Sequence, residues 1–143
     1  MKEKFLEELE AFCKASSVDL SEVSGKLLEL VGEEEITCYH IVKGPLPGFP
    51  NTILDVFILT CQCLYNCEIT PDGSFCTLLP LDCMTLISEE LSEDKKFLSI
   101  NFWAPAEMSL ILQDRLENRK ALQNFLKAVK ENRLLVNSEG KKT

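Results

Sequence analysis

The sequence predicts an α+β domain: two helices, then about seven short antiparallel strands, then one C-terminal helix. Three observations carry that reading. Apolar residues recur at helical spacing near both ends of the chain and not between them. From residue 44 to residue 94 there is no Lys and no Arg, and short runs of Ile, Leu, Val, Phe, Thr and Cys alternate with turn residues. Consecutive short strands with turn signals suggest a meandering sheet, curled into a partly open antiparallel barrel or a two-sheet sandwich, that the last helix closes.

Each element has its own signal. Phe5, Leu6, Leu9, Phe12 and Cys13 predict an amphipathic helix over residues 2–14, broken by Ser16 and Ser17. The run from Asp19 to Glu22 fits a capping box, and Leu20, Val23, Leu27, Leu30 and Val31 form the stripe of a second helix that Gly32 stops. β-Branched and aromatic residues predict a strand over 36–43. Residues 44–51 (GPLPGFPN) form a semi-rigid loop, because three prolines remove amide donors and fix φ. Strands over 53–60 and 63–70 meet near Cys61 and Gln62, and Pro71-Asp72-Gly73 turns the chain with Gly supplying a positive φ. Further strands fall at 75–79, 83–89, 97–103 and 109–112, separated by Pro80, by the turn 92–96 and by Ala104-Pro105-Ala106. Asp114 and Glu117 fit a second capping box, opening a helix over 115–132 with Leu122, Phe125, Leu126 and Val129 as its buried stripe. Residues 1–34 thus read as a helical extension, 35–136 as the β domain with its helix, and 137–143 as a disordered tail.

The middle of the chain strengthens this reading. The run from Ile58 to Tyr65 (ILTCQCLY), the Asp72-Gly73 hairpin and the run from Thr77 to Ile87 (TLLPLDCMTLI) resemble bacterial pleckstrin-homology-like domains. The resemblance spans residues 35–132 and implies seven strands capped by a terminal helix, a scaffold for peptide, lipid or partner-domain binding. The lipid-binding members place Lys and Arg on the first two strands and the loop between. Here that loop is GPLPGFPN, with Lys43 beside it. A competing α+β dimer of the secretion-chaperone kind, suggested by size and acidity, needs a helix inside the β region.

Composition narrows function. The chain has 143 residues, net charge −8 and 27% charged residues, as one ordinary globular domain would. Residues 1–114 hold 7 Lys against 20 acids, net −13, while residues 115–143 hold 8 basic residues against 3 acids, net +5. An acidic body is repelled by phosphate backbones, so no nucleic acid and no phosphoinositide or stable membrane binding is expected. Acids near the start and no long apolar run predict a cytoplasmic protein with seven reduced cysteines.

Chemistry has few candidates. Cys61, Cys63 and Cys67 (C-x-C-x3-C) and the pair Cys38 and His40 are the possible metal or thiol-enzyme residues. Strand spacing of ~7 Å between i and i+2 holds such pairs apart, so core packing is the preferred reading for the cysteines. The acidic runs Glu33-Glu34-Glu35 and Glu89-Glu90 lack a calcium-loop pattern. The expectation is therefore a non-catalytic module, without cofactor, that binds a protein or peptide. Its candidate surfaces are Pro47 and Phe49 in the loop, Trp103 on a strand, and the basic flank Arg119, Lys120, Lys127 and Lys130.

Overall fold

The computed structural model describes residues 1–106 and 108–141, with side chains through residue 137. Two N-terminal helices, α1 (Lys2–Ser16) and α2 (Leu20–Val31), precede β1 (Cys38–Lys43), β2 (Leu54–Leu59), β3 (Cys63–Thr70) and β4 (Gly73–Pro80). A 3-10 turn at Leu81–Cys83 leads to β5 (Leu86–Leu91), β6 (Phe97–Ala104) and β7 (Met108–Arg115). A second 3-10 turn, Leu116–Asn118, opens into α3 (Arg119–Lys141). Among the described residues from 53 to 112, that first three-residue turn is the only helical segment, so the internal helix of the chaperone topology is missing. Among the described residues no helix is long and apolar enough to cross a membrane.

Local chemistry sets the element ends. Ser17 adopts the left-handed conformation (φ 56°, ψ 40°) and stops α1. Asp19 caps α2, but it accepts from the Ser21 amide and hydroxyl at 3.0 and 2.8 Å, so the expected box with Glu22 does not form. Gly73 has φ 142°, as the hairpin after Pro71 and Asp72 requires. Gly44 approaches the chain at Thr52 so closely that a Cβ would lie 1.8 Å from the Thr52 carbonyl oxygen.

The strands form two antiparallel sheets, β1-β2-β3-β4 and β5-β6-β7. They do not close into a barrel, and the sandwich half of the expectation is the one realised. The reason lies at the two seams. Between β1 and β7 the sheets are tied by side chains: His40 Nε2 to Asp114 Oδ2 at 2.7 Å, Arg115 Nη1 to the Lys43 carbonyl at 2.7 Å, and the Gly48 amide to Gln113 Oε1 at 2.9 Å. Between β4 and β5 the chain turns at Pro80 without a ladder.

One core lies between the sheets and under α3, built from residues such as Phe57, Leu64, Leu79, Ile100, Phe102, Leu112, Leu122 and Phe125. A second lies on the other face of the first sheet, where Phe5, Leu9, Val23 and Leu27 cover Leu54, Val56, Ile58, Tyr65 and Ile69. The first sheet is thus buried on both faces, which is why β2 (LDVFIL) is buried at every position. The predicted capping role of Asp114 is not what the fold uses. Asp114 belongs to β7, its carboxylate sits in the first core, and α3 begins at Arg119 instead. The helix also continues to Lys141, beyond residue 136 where a tail was expected; Lys142 and Thr143 lie outside the described residues.

Candidate functional site

The expected chemical candidates disperse in the fold. His40 pairs with Asp114 and lies tilted beside Phe125, with ring centroids 6.0 Å apart. Burial opposes the charge on Asp114, but bonds from His40, Asn118 and the Arg115 amide prevail and hold its carboxyl below the usual range. Cys38 lies on the same strand face, yet its thiol contacts the Tyr39 carbonyl at 4.0 Å and is pushed up by burial, the opposite of an activated nucleophile. Cys61 is exposed, Cys63 half-buried and Cys67 fully buried under α2. Among the described residues no three His, Cys, Asp or Glu side chains converge where a metal ion could sit.

One further acid stands out. Asp55, on the inner face of β2, is buried, and burial pushes its carboxyl up to about 7 against the Asn66 amide at 2.6 Å, with neighbouring Glu68 adding to the rise. Neither Asp55 nor Glu68 lines any of the clefts described below.

The clefts lie elsewhere. One of about 570 Å³ sits where α1 meets the end of α2, lined by Met1, Lys2 and Glu33-Glu34-Glu35. Glu34 is already held there by the Thr60 and Tyr65 hydroxyls. Another of about 410 Å³ gathers Lys95, Lys96 and Arg115 beside Phe97, a basic corner that sequence spacing does not reveal. Two more lie in line between β5 and α3. The first, about 460 Å³, is lined by Thr85, Leu86, Ile87, Lys130, Arg133, Leu134 and Asn137. The second, about 330 Å³, is lined by Glu89, Glu90, Leu91, Leu98, Leu116, Arg119 and Gln123.

These two clefts mark the two ends of the groove between β5 and α3, with the buried Leu126 on the helix between them. Positions 119, 123, 130, 134 and 137 share a stripe of α3, since each residue advances about 100° around the helix. The opposite wall is the free edge of the second sheet. Ser92 donates its N–H to Phe97, which marks 92 and 97 as a hydrogen-bonded pair. Alternation then turns the backbone N–H and C=O of Ile87, Glu89 and Leu91 to the open side. Arg133 donates through Nη2 to the Thr85 carbonyl at 3.2 Å, while its buried Nε finds no partner among the described residues. An unmade buried hydrogen bond is expensive, so this Nε is a local cost of seating Arg133 against Thr85.

The sequence-predicted surface residues divide accordingly. Arg119 and Lys130 line the groove. Trp103 stands on the outer face of β6, 40% exposed, opposite Leu86 in register, and its Nε1 donates to the Ser88 hydroxyl at 3.3 Å. Lys120 and Lys127 are exposed on α3, the latter 4.0 Å from Glu131. Pro47 and Phe49 are elsewhere, on the β1–β7 side, Pro47 exposed and Phe49 half-buried against the core. Sequence reasoning missed Arg133, Leu86 and the edge of β5; the one available signal was the shared stripe of 119, 130, 133 and 134. No protein-family model matches this chain, and no curated protein matches it.

Proposed function

We propose that this protein is a non-catalytic, pleckstrin-homology-like interaction module whose groove between β5 and α3 takes an extended peptide as an added strand. The observation that carries this reading is the open β5 edge facing Lys130 and Arg133 across a cleft. Main-chain hydrogen bonds to Ile87, Glu89 and Leu91 would supply affinity, and alternate side chains would supply selectivity. One set of ligand side chains would face Leu86 and Trp103 on the outer surface; the other would point between β5 and α3. The ligand class is a peptide with an apolar residue at the Leu86–Trp103 position and a carboxylate within reach of Arg133, to which guanidinium geometry is suited. Four strands, three strands and a terminal helix, in that order, support the fold half of the reading.

The test is selection from a displayed library of random peptides, followed by amide-shift mapping with the selected peptide. The expected outcome is an acidic consensus, with shifts at Ile87, Glu89 and Leu91. Glu89→Pro removes an outward N–H without touching the β6 ladder, a place where an edge strand tolerates proline. It should keep the fold and lower affinity at least tenfold. Selected peptides that map to another face, or that bind Glu89→Pro as well as the parent, would refute strand addition.

A further inference from the structure

Cys67 and Cys76 face each other directly on β3 and β4. The phase of that ladder is set by two facts. The Leu81 amide donates to the Gln62 carbonyl at 2.9 Å, and Pro80, paired with Cys63, has no N–H to donate. Counting by twos from the hydrogen-bonded pair 62/81 places Cys67 and Cys76 in a non-hydrogen-bonded pair. Such pairs bring Cα atoms to about 4.5 Å with side chains close, within the span of about 4.4–6.8 Å that a disulfide bridges. Both thiols share the face covered by α2, where Lys26 donates to the Ser74 hydroxyl at 2.6 Å. Cys76 is exposed on the edge strand and Cys67 is fully buried.

We propose that Cys67 and Cys76 form a dithiol modification site that a peroxide oxidises to a cross-strand disulfide. The exposed Cys76 sulfur is the one a peroxide reaches. As thiolate it attacks one peroxide oxygen; the O–O bond breaks, the departing hydroxide takes up the thiol's proton as water, and Cys76 becomes a sulfenic acid. The Cys67 sulfur then attacks the Cys76 sulfur, the S–O bond breaks, and the hydroxyl leaves with the Cys67 proton as a second water. In sum, two thiols lose two electrons and two protons to one hydrogen peroxide, which becomes two waters. Burial and the neighbouring Cys76 thiol push the Cys67 thiol up, so the closing step quickens as pH rises. The product ties edge strand β4 to β3 across the Pro71–Asp72 turn.

The test treats the whole chain with hydrogen peroxide, alkylates the remaining thiols under denaturing conditions and cleaves after acidic residues. Glu68 and Asp72 lie between the two cysteines, so only a disulfide keeps their fragments together. The expected result is a joined Cys67–Cys76 pair, two hydrogens lighter, that a thiol reductant separates. Cys76→Ser, at an exposed position, should leave Cys67 a free thiol after the same treatment. The proposal fails if Cys76 ends as a sulfinic acid beside a free Cys67, if Cys76 joins a different cysteine, or if Cys76 stays reduced while exposed Cys61 and Cys83 are oxidised.

Discussion

At the scale of single residues, two buried aspartates set opposite pH dependences. Asp55 binds its proton more tightly folded, at about 7, than an unfolded aspartate does at about 4. Between those values the native state holds the extra proton, so its contribution to stability is greatest at low pH and declines as pH rises toward neutrality. Asp114 runs the other way. Its carboxyl is held low, so its contribution is present at neutral pH and is lost as acid protonates it. The chain should therefore be more stable at about pH 5 than at about pH 8. Asp55→Asn, which keeps an acceptor for Asn66, should flatten that difference and raise stability at the higher pH by roughly 2–4 kcal/mol. Denaturant unfolding of both proteins at the two pH values checks this, and a parent chain equally stable at both would disprove it.

At the scale of elements, α1 and α2 are half of a core rather than an appendage. Phe5, Leu9, Cys13, Val23, Leu27 and Val31 are buried against the outer face of the first sheet. Removing residues 1–34 would bare Leu54, Val56, Ile58 and Ile69 together. Each apolar side chain of that size loses about 1.5–3 kcal/mol when exposed. Four such losses consume the stability of most domains, about 5–15 kcal/mol. The truncated chain should lose cooperative thermal unfolding and bind a hydrophobic dye. A truncated protein that retains a sharp melting transition would show that the β domain stands alone.

At the scale of the whole molecule, charge is divided more finely than the sequence halves imply. The acidic body carries net −13 over residues 1–114, yet Lys95 and Lys96 come together with Arg115 in one cleft. Arg115 already donates to the Lys43 and Pro45 carbonyls, and the two lysines beside it are exposed. Single cations near a membrane are worth about 1 kcal/mol each, and the body's field opposes an anionic surface. We expect no saturable binding to phosphoinositide vesicles at physiological salt. Sedimentation with such vesicles measures it. Saturable binding lost on changing Lys95 and Lys96 to Ala, or Lys43 to Ala, would overturn the expectation.

Periodicity and turn chemistry alone determined the α+β class, the order of helices and strands, the Pro71–Gly73 hairpin and the stop at Gly32. These signals are local: an apolar stripe, a positive φ or a missing N–H acts within a few residues. The same locality explains the errors. Asp114 and Glu117 read as a helix cap, because nothing nearby in sequence announces that His40 waits 74 residues away. Strand spacing already held Cys38 and His40 apart, but only the fold shows that His40 turns to Asp114 and that Phe49 packs on the core. The tertiary structure alone decided that the sheets stay separate, that Arg119, Lys130 and Arg133 face the β5 edge, and that Cys67 meets Cys76 rather than Cys63. Each of those depends on strand register and helix rotation, set by how two cores pack rather than by any one segment's pattern.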